Sequence, residues 1–262
     1  MTGCAAAAEG KPLDRKAEVT QIANDLDLVR KHRILFSHHS VGRNLLAGLE
    51  RAAGQLGAPI RVMPLEQAET SSEPAFVTIS GGQNQDPQSK FDFFAESLRK
   101  TEYEPELAFM KLCYVDFNPR TDVDALFAAY RSTIDTMRAE HPNIRFAHVT
   151  TPLYQQPMTI KERIYRFLGK EVWEDAANVK RHAFNQKLFQ TYSKDPIFDL
   201  ARFESTRPDG SRVSFEEGGH TYYSLAPEYS DDGGHLNDLG QDVAALEWVR
   251  FMAKALRRSP GN

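Results

Sequence analysis

Apolar residues along the chain fall into short unbroken runs separated by stretches of helical period. Ile34-Leu35-Phe36 is such a run, and Val41, Leu45, Leu46, Leu49, Ala52, Ala53 and Leu56 follow at the spacing of one helix face. Pro59 to Met63 and Phe76 to Ile79 read as two further strands, and Phe91, Phe94, Ala95 and Leu98 mark the helix after them. Leu107 to Val115 does not alternate, which predicts a strand buried on both faces. Thr121 stands where it would cap a helix whose stripe is Val123, Leu126, Phe127, Tyr130, Ile134 and Met137, and His141-Pro142-Asn143 ends it. Ile144 to Val149 supplies another strand, 158–193 two helices, and Ile197-Phe198 a last short strand. Residues 203–231, rich in Gly, Pro, Ser and Tyr, read as a long loop. Leu239, Val243, Leu246, Val249 and Leu256 close the chain as a helix.

This alternation predicts an α/β fold: a three-layer α/β/α sandwich with a mainly parallel, flavodoxin-like sheet. No linker or repeat divides it, so residues 17–262 form one domain behind a tail of residues 1–16. Ligands of such sheets sit beyond the carboxyl ends of the strands. Residues just after each strand are therefore the functional candidates.

Composition narrows the classes. Lys+Arg 32 against Asp+Glu 36 leaves a net charge of −4, with no basic surface for nucleic acid. At 41% hydrophobic residues the chain is too apolar for disorder, and no run approaches the roughly 18 apolar residues of a membrane span. Its two cysteines, Cys4 and Cys113, exclude a disulfide framework. Met1-Thr2-Gly3-Cys4 before Ala5 to Ala8 is similar to the end of a bacterial lipoprotein signal. It lacks the charged start and apolar stretch of such a signal. It reads either as part of a longer precursor, with a lipid anchor at Cys4 and a cell-envelope or secreted location, or as a chance Cys in a cytoplasmic protein.

Two clusters could carry chemistry. Ser37-His38-His39-Ser40-Val41-Gly42 leads from the first strand into a helix, so the Ser40 N–H lies at the positive end of a helix dipole. A nucleophile there could hand the developing oxyanion to its own N–H. The plainer reading is a helix cap, although Arg43 stands where a capping box has Glu or Gln. Near the other end, Asp231-Asp232-Gly233-Gly234-His235-Leu236-Asn237 lets the Asp232 carboxylate fold back to the His235 ring. Asp and His in that relation are two thirds of a Ser-His-Asp triad. Asn237 could equally cap the last helix over an ordinary Asp/Gly turn.

Other candidates carry less. His38, His39, His220 and His235 could suggest a metal-dependent hydrolase, but adjacent histidines point apart and no ligand-pair spacing supports a site. Cys113 reads as a small buried residue, and Lys111 as a snorkelling interruption of the same run. Gly81-Gly82 lacks the Lys-Ser or Lys-Thr of a phosphate loop. Tyr222, Tyr223, Tyr229 and Trp173 could line a sugar-binding wall or pack down their own loop.

The order of these pieces resembles the SGNH, or GDSL-like, hydrolases: Ser40 after the first strand, Ile79-Ser80-Gly81-Gly82 as second block, and Asp232-x-x-His235 before the last helix. The stretch Leu107 to Pro152 is similar to the family's central strand–helix–strand unit, and the resemblance covers residues 33 to 258. It departs in two blocks. His38-His39-Ser40 replaces Gly-Asp-Ser, and Cys113-Tyr114-Val115-Asp116 replaces Gly-x-Asn-Asp, so the family's oxyanion Asn is here Val115, whose side chain has no donor. The resemblance implies a cofactor-free serine esterase acting on small acyl esters, often acetyl groups on carbohydrate, with Ser40, His235 and Asp232 as triad. It implies the N–H groups of Ser40 and Gly82 as oxyanion donors with an Asn side chain as third, Asn84 being placed better than Asn118. A carbohydrate-binding module without turnover is the alternative that fits the altered blocks.

Overall fold

The computed structural model describes residues 15–68 and 73–257; the Cys4 segment lies outside the described residues. β1 (Ile34–Ser37), β2 (Val62–Pro64), β3 (Phe76–Ile79), β4 (Leu107–Met110) and β5 (Arg145–Phe146) form a parallel sheet in the order β2-β3-β1-β4-β5. Alternate strand residues serve opposite cores. Ile34, Phe36, Phe76, Leu107 and Phe109 pack on one side, and Leu35, Val77, Ile79, Ala108 and Met110 on the other. With both faces covered there is no polar side to show, which is why these segments read as unbroken apolar runs.

The first face is covered by α1 (Arg15–Val29), α2 (Val41–Gln55) and α9 (Asp238–Arg257). Trp248 of α9 is fully buried there, edge-on to Phe36 and Phe76 at 5.1 and 5.3 Å between ring centroids. The second face is covered by α4 (Pro87–Lys100), α5 (Val123–Glu140) and α7 (Trp173–Thr191). A short α3 (Leu65–Ala68) follows β2. Past Ala147, β5 resumes as β6 (His148–Val149), which pairs with β7 (Ile197–Phe198) and not with β4. The Ala147 N–H still bonds the Ala108 carbonyl, so one strand changes partner and widens the sheet.

Several sequence expectations need correction. β4 stops at Met110, and the Lys111 side chain turns inward: its ammonium donates to the Leu112 carbonyl at 3.0 Å and is buried, not snorkelled. Leu112 and Cys113 are apolar because they form a buried loop, which runs into a 3₁₀ turn at Tyr114–Asp116. The α5 cap is Asp122, whose carboxylate accepts the Ala125 N–H at 3.0 Å, while the Thr121 hydroxyl accepts from Asn118. The stretch 203–231 is not one loop. It begins within α8 (Leu200–Ser205) and contains an antiparallel hairpin of β8 (Ser214–Glu217) and β9 (His220–Tyr223) about Gly218-Gly219. Tyr229 is buried, while Tyr222 and Tyr223 are half-buried, with the Arg212 guanidinium 3.3 Å over the Tyr223 ring.

Candidate active site

Strand register assembles the site. Ser37 is paired with Ile79 on one side and Met110 on the other, so β1, β3 and β4 end level. Ser40, Gly82 and Cys113 each lie three residues beyond those aligned ends. The three blocks singled out in the sequence therefore leave the sheet at one edge, where α/β sheets bind ligands.

Ser40 sits on a tight turn between β1 and α2 with φ 52° and ψ −110°, a conformation an L-residue rarely holds. Strain of this kind costs about 1–3 kcal/mol and concentrates at functional sites. Gly42 permits the turn, since a Cβ there would lie 2.4 Å from the His38 Cβ. The Ser40 side chain makes no capping bond to α2. Its hydroxyl instead donates to His235 Nε2.

His235 arrives from the far end of the chain because α9 packs across α2. Asn44 on α2 accepts the Leu236 N–H at 3.3 Å, and Arg51 pairs with Asp242 at 2.7 Å. The His235 Nδ1–H donates to Asp232 Oδ2 at 2.6 Å, and a carboxylate can only accept, so this bond fixes the tautomer that leaves Nε2 basic. Asp232 Oδ1 accepts the N–H groups of His235 and Gly234 at 2.8 and 2.9 Å. Burial would raise the Asp232 carboxyl, but those two N–H groups and the imidazole outweigh it and hold the group well below the usual carboxylate range. Asn237 caps α9, its side chain accepting the Gly240 N–H at 3.1 Å. The turn thus carries both features that the sequence left as alternatives.

Among the other histidines, His220 is exposed on β9. His38 is buried and stacked on Phe36 at 4.9 Å, and burial, with the Lys111 charge, pushes it down to about 3. Among the described residues no three His, Cys, Asp or Glu side chains converge as a metal site.

Among solved structures the chain is similar to a candidate platelet activating factor from Streptococcus pneumonia, 14% identical over 90% of this chain and 94% of that one, with TM-score 0.51. It is also similar to a candidate lipolytic protein of the G-D-S-L family from Desulfitobacterium hafniense, 10% identical over 83% and 98% of the two chains, with TM-score 0.48. The chain shares with the first of these its fold, a parallel sheet covered by helices on both faces. A third similar structure is the periplasmic domain of a lipopolysaccharide acetyltransferase from Salmonella ser. Paratyphi A, at 12% identity, 92% and 98% coverage and TM-score 0.48. No family model and no curated protein matches the sequence.

Within this fold the two blocks that depart from the expected pattern have structural work of their own. His39 Nε2 lies 2.7 Å from the Gly81 carbonyl oxygen, which can only accept, so the proton is on Nε2. Gly81 C=O and Gly82 N–H belong to one planar trans peptide, so a bond on the carbonyl also fixes the direction of the N–H. Gly82 holds φ +78° with Lys90 backbone 2.7 Å from where a Cβ would stand, so no other residue fits. In the third block, Asp116 is buried, pairs with Lys90 at 2.7 Å, and accepts the N–H groups of Cys113 and Gln85 at 2.7 and 3.0 Å. One carboxylate ties the second-block loop to the third. The same Lys90 ammonium donates to Asn84 Oδ1 at 3.0 Å. Asn118 Oδ1 is taken by the Arg120 N–H at 2.8 Å, in an Asx turn.

Neither the His39–Gly81 contact nor the buried Lys90 is singled out by the sequence. Lys90 shares a helix face with Phe94 and Leu98, and a charge on an apolar stripe was the available signal. Tyr114 was also missed. Its ring meets His235 edge-on at 5.7 Å, and burial, then the nearby Asp232 charge, pushes its phenol up to about 12. Beside it opens a cleft of about 450 Å³ bordered by Gln85, Tyr114, Asn118, Arg120, Trp173 and Glu174. Of the aromatics proposed for a sugar wall, Trp173 faces this cleft.

Proposed function

We propose that the chain is a serine esterase that cleaves small acyl esters through an acyl-serine. The observation that carries this reading is the unbroken relay from the Ser40 hydroxyl to His235 Nε2 and from His235 Nδ1 to Asp232. In this reading Ser40 Oγ attacks the acyl carbon while its proton passes to His235. The N–H groups of Ser40 and Gly82 and the Asn84 amide receive the carbonyl oxygen as it becomes an oxyanion. The imidazolium, facing the Asp232 carboxylate, returns the proton to the leaving alcohol. Water, deprotonated by His235, then releases the acid and restores Ser40. The cleft beside Tyr114 takes the alcohol portion, and its exposed Trp173 with flanking polar side chains suits the face of a sugar carrying O-acetyl groups.

A panel of aryl acetates and O-acetylated sugars, assayed with the wild type and Ser40→Ala, tests the reading. Turnover of at least one ester that Ser40→Ala loses is expected, and no turnover of any ester would favour the binding-module alternative.

His39 gives a finer test. Freeing the Gly81–Gly82 peptide in His39→Ala should lower kcat about 10- to 10²-fold with KM little changed, because a misaimed donor weakens only the transition state. His39→Gln, which keeps an N–H donor, should recover part of the loss. Equal damage in both variants, or a change confined to KM, would remove His39 from this role.

A further inference from the structure

The helix α6 (Ile160–Phe167), between β6 and α7, is packed inside out. None of its residues is buried, yet Ile160, Ile164, Phe167 and the following Leu168 recur at i, i+4, i+7 and i+8, a single apolar stripe. That stripe faces away from the protein: Ile160 is 78% exposed and Phe167 88%. The inward side is polar. Glu162, Tyr165 and Arg166 are half-buried, and Arg166 is clamped on Asp175 at 2.6 and 3.1 Å and on the Pro157 carbonyl at 2.9 Å. The protein thus holds the helix by its charged face and presents the apolar one, which a helix serving only the core would not do. Met158 and Trp173, 64% and 52% exposed, enlarge the apolar surface at either end of the segment.

The charges beside the stripe indicate what covers it. Lys161 borders it on one edge and Arg163 on the other, with Lys170 just beyond; all three are exposed. Lys161 and Lys170 lie over the Tyr165 ring at 5.4 and 5.7 Å, and none of the three forms an ion pair among the described residues. This cationic fringe stands on a chain whose net charge is −4. An apolar stripe edged on both sides by cations, with a Trp close by, is the arrangement that seats a helix in the headgroup layer of an anionic bilayer. We propose that α6 docks this protein on anionic membrane surfaces. The segment leading to α6 is tied to the catalytic turn, the Gln155 N–H donating to the Gly233 carbonyl at 2.8 Å and the Tyr154 hydroxyl to the Asp232 carbonyl at 3.3 Å. Docking therefore brings the Trp173 cleft to the lipid surface. The docking stands independently of the esterase reading.

Co-sedimentation of the full chain with vesicles tests it, using phosphatidylcholine alone and phosphatidylcholine with about one third phosphatidylglycerol. Binding to the anionic vesicles is expected, at least about tenfold weaker on neutral vesicles or in high salt. Ile164→Ser/Phe167→Ser should abolish it with the thermal melt unchanged, since these side chains point outward. Lys161→Glu/Arg163→Glu, with the apolar stripe intact, should lose the preference for anionic lipid. No binding by the wild type, or binding unchanged in Ile164→Ser/Phe167→Ser, would overturn the proposal. So would concentration-dependent dimerisation that Phe167→Ser breaks while vesicles leave the protein in solution, which would make the face a contact between copies of this chain.

Discussion

On the esterase reading, Ser40→Ala and His235→Ala should each lower kcat by about 10⁴- to 10⁶-fold, with the double variant little worse than either. Without the hydroxyl there is no nucleophile, and without the imidazole the hydroxyl keeps its proton. Either loss disables the same step, so the second substitution has almost nothing left to remove. Asp232→Asn should be costly for another reason. An amide can donate to Nδ1 and so stabilise the tautomer that protonates Nε2, the atom that must accept from Ser40. Steady-state rates on the best ester of the panel, with circular dichroism to show an intact fold, give the comparison. Losses that multiply across the double variant would mean that Ser40 and His235 do not act as one unit.

The second large effect is expected at Asn84. Lys90 holds Asn84 Oδ1, so the Nδ2 end, which has no protein partner among the described residues, is the one left to donate. Asn118 has its carbonyl committed to the backbone of its own turn. Asn84→Ala should therefore cost about 10²–10³ in kcat with little change in KM, the signature of a donor used only in the transition state. Asn118→Ala should stay within a few-fold of wild type. The opposite pattern, with Asn118→Ala impaired and Asn84→Ala active, reverses the assignment.

What was legible in the sequence was whatever a doubly covered sheet imposes. β1 and β3 stand where their apolar runs place them, and the ends of β1, β3 and β4 align to bring Ser40 and Gly82 to one edge. Long-range polar partners were not legible. Lys90 is one case, since the Asp116 carboxylate that pairs with its ammonium is 26 residues away. His39 looked like half of a histidine pair because its acceptor, the Gly81 carbonyl, is 42 residues away. The hairpin at β8–β9 did carry a local signal, two strand-like runs about Gly218-Gly219, which the loop-like composition around it obscured. α1 has only Ile22, Leu26 and Val29 as buried hydrophobic residues, too few to stand out among its charges.

The bond from Ser40 to His235 joins positions 195 residues apart, and the turn carrying His235 is held in place by α9 lying against α2. Closing so long a loop is entropically late, since nothing repays it until both ends have packed. A chain emerging from the ribosome therefore carries its serine long before it carries the base that would activate it. On the esterase reading, ester cleavage would begin only once α9 has packed, because the helix that sets the His235 turn also closes one face of the sheet with Trp248.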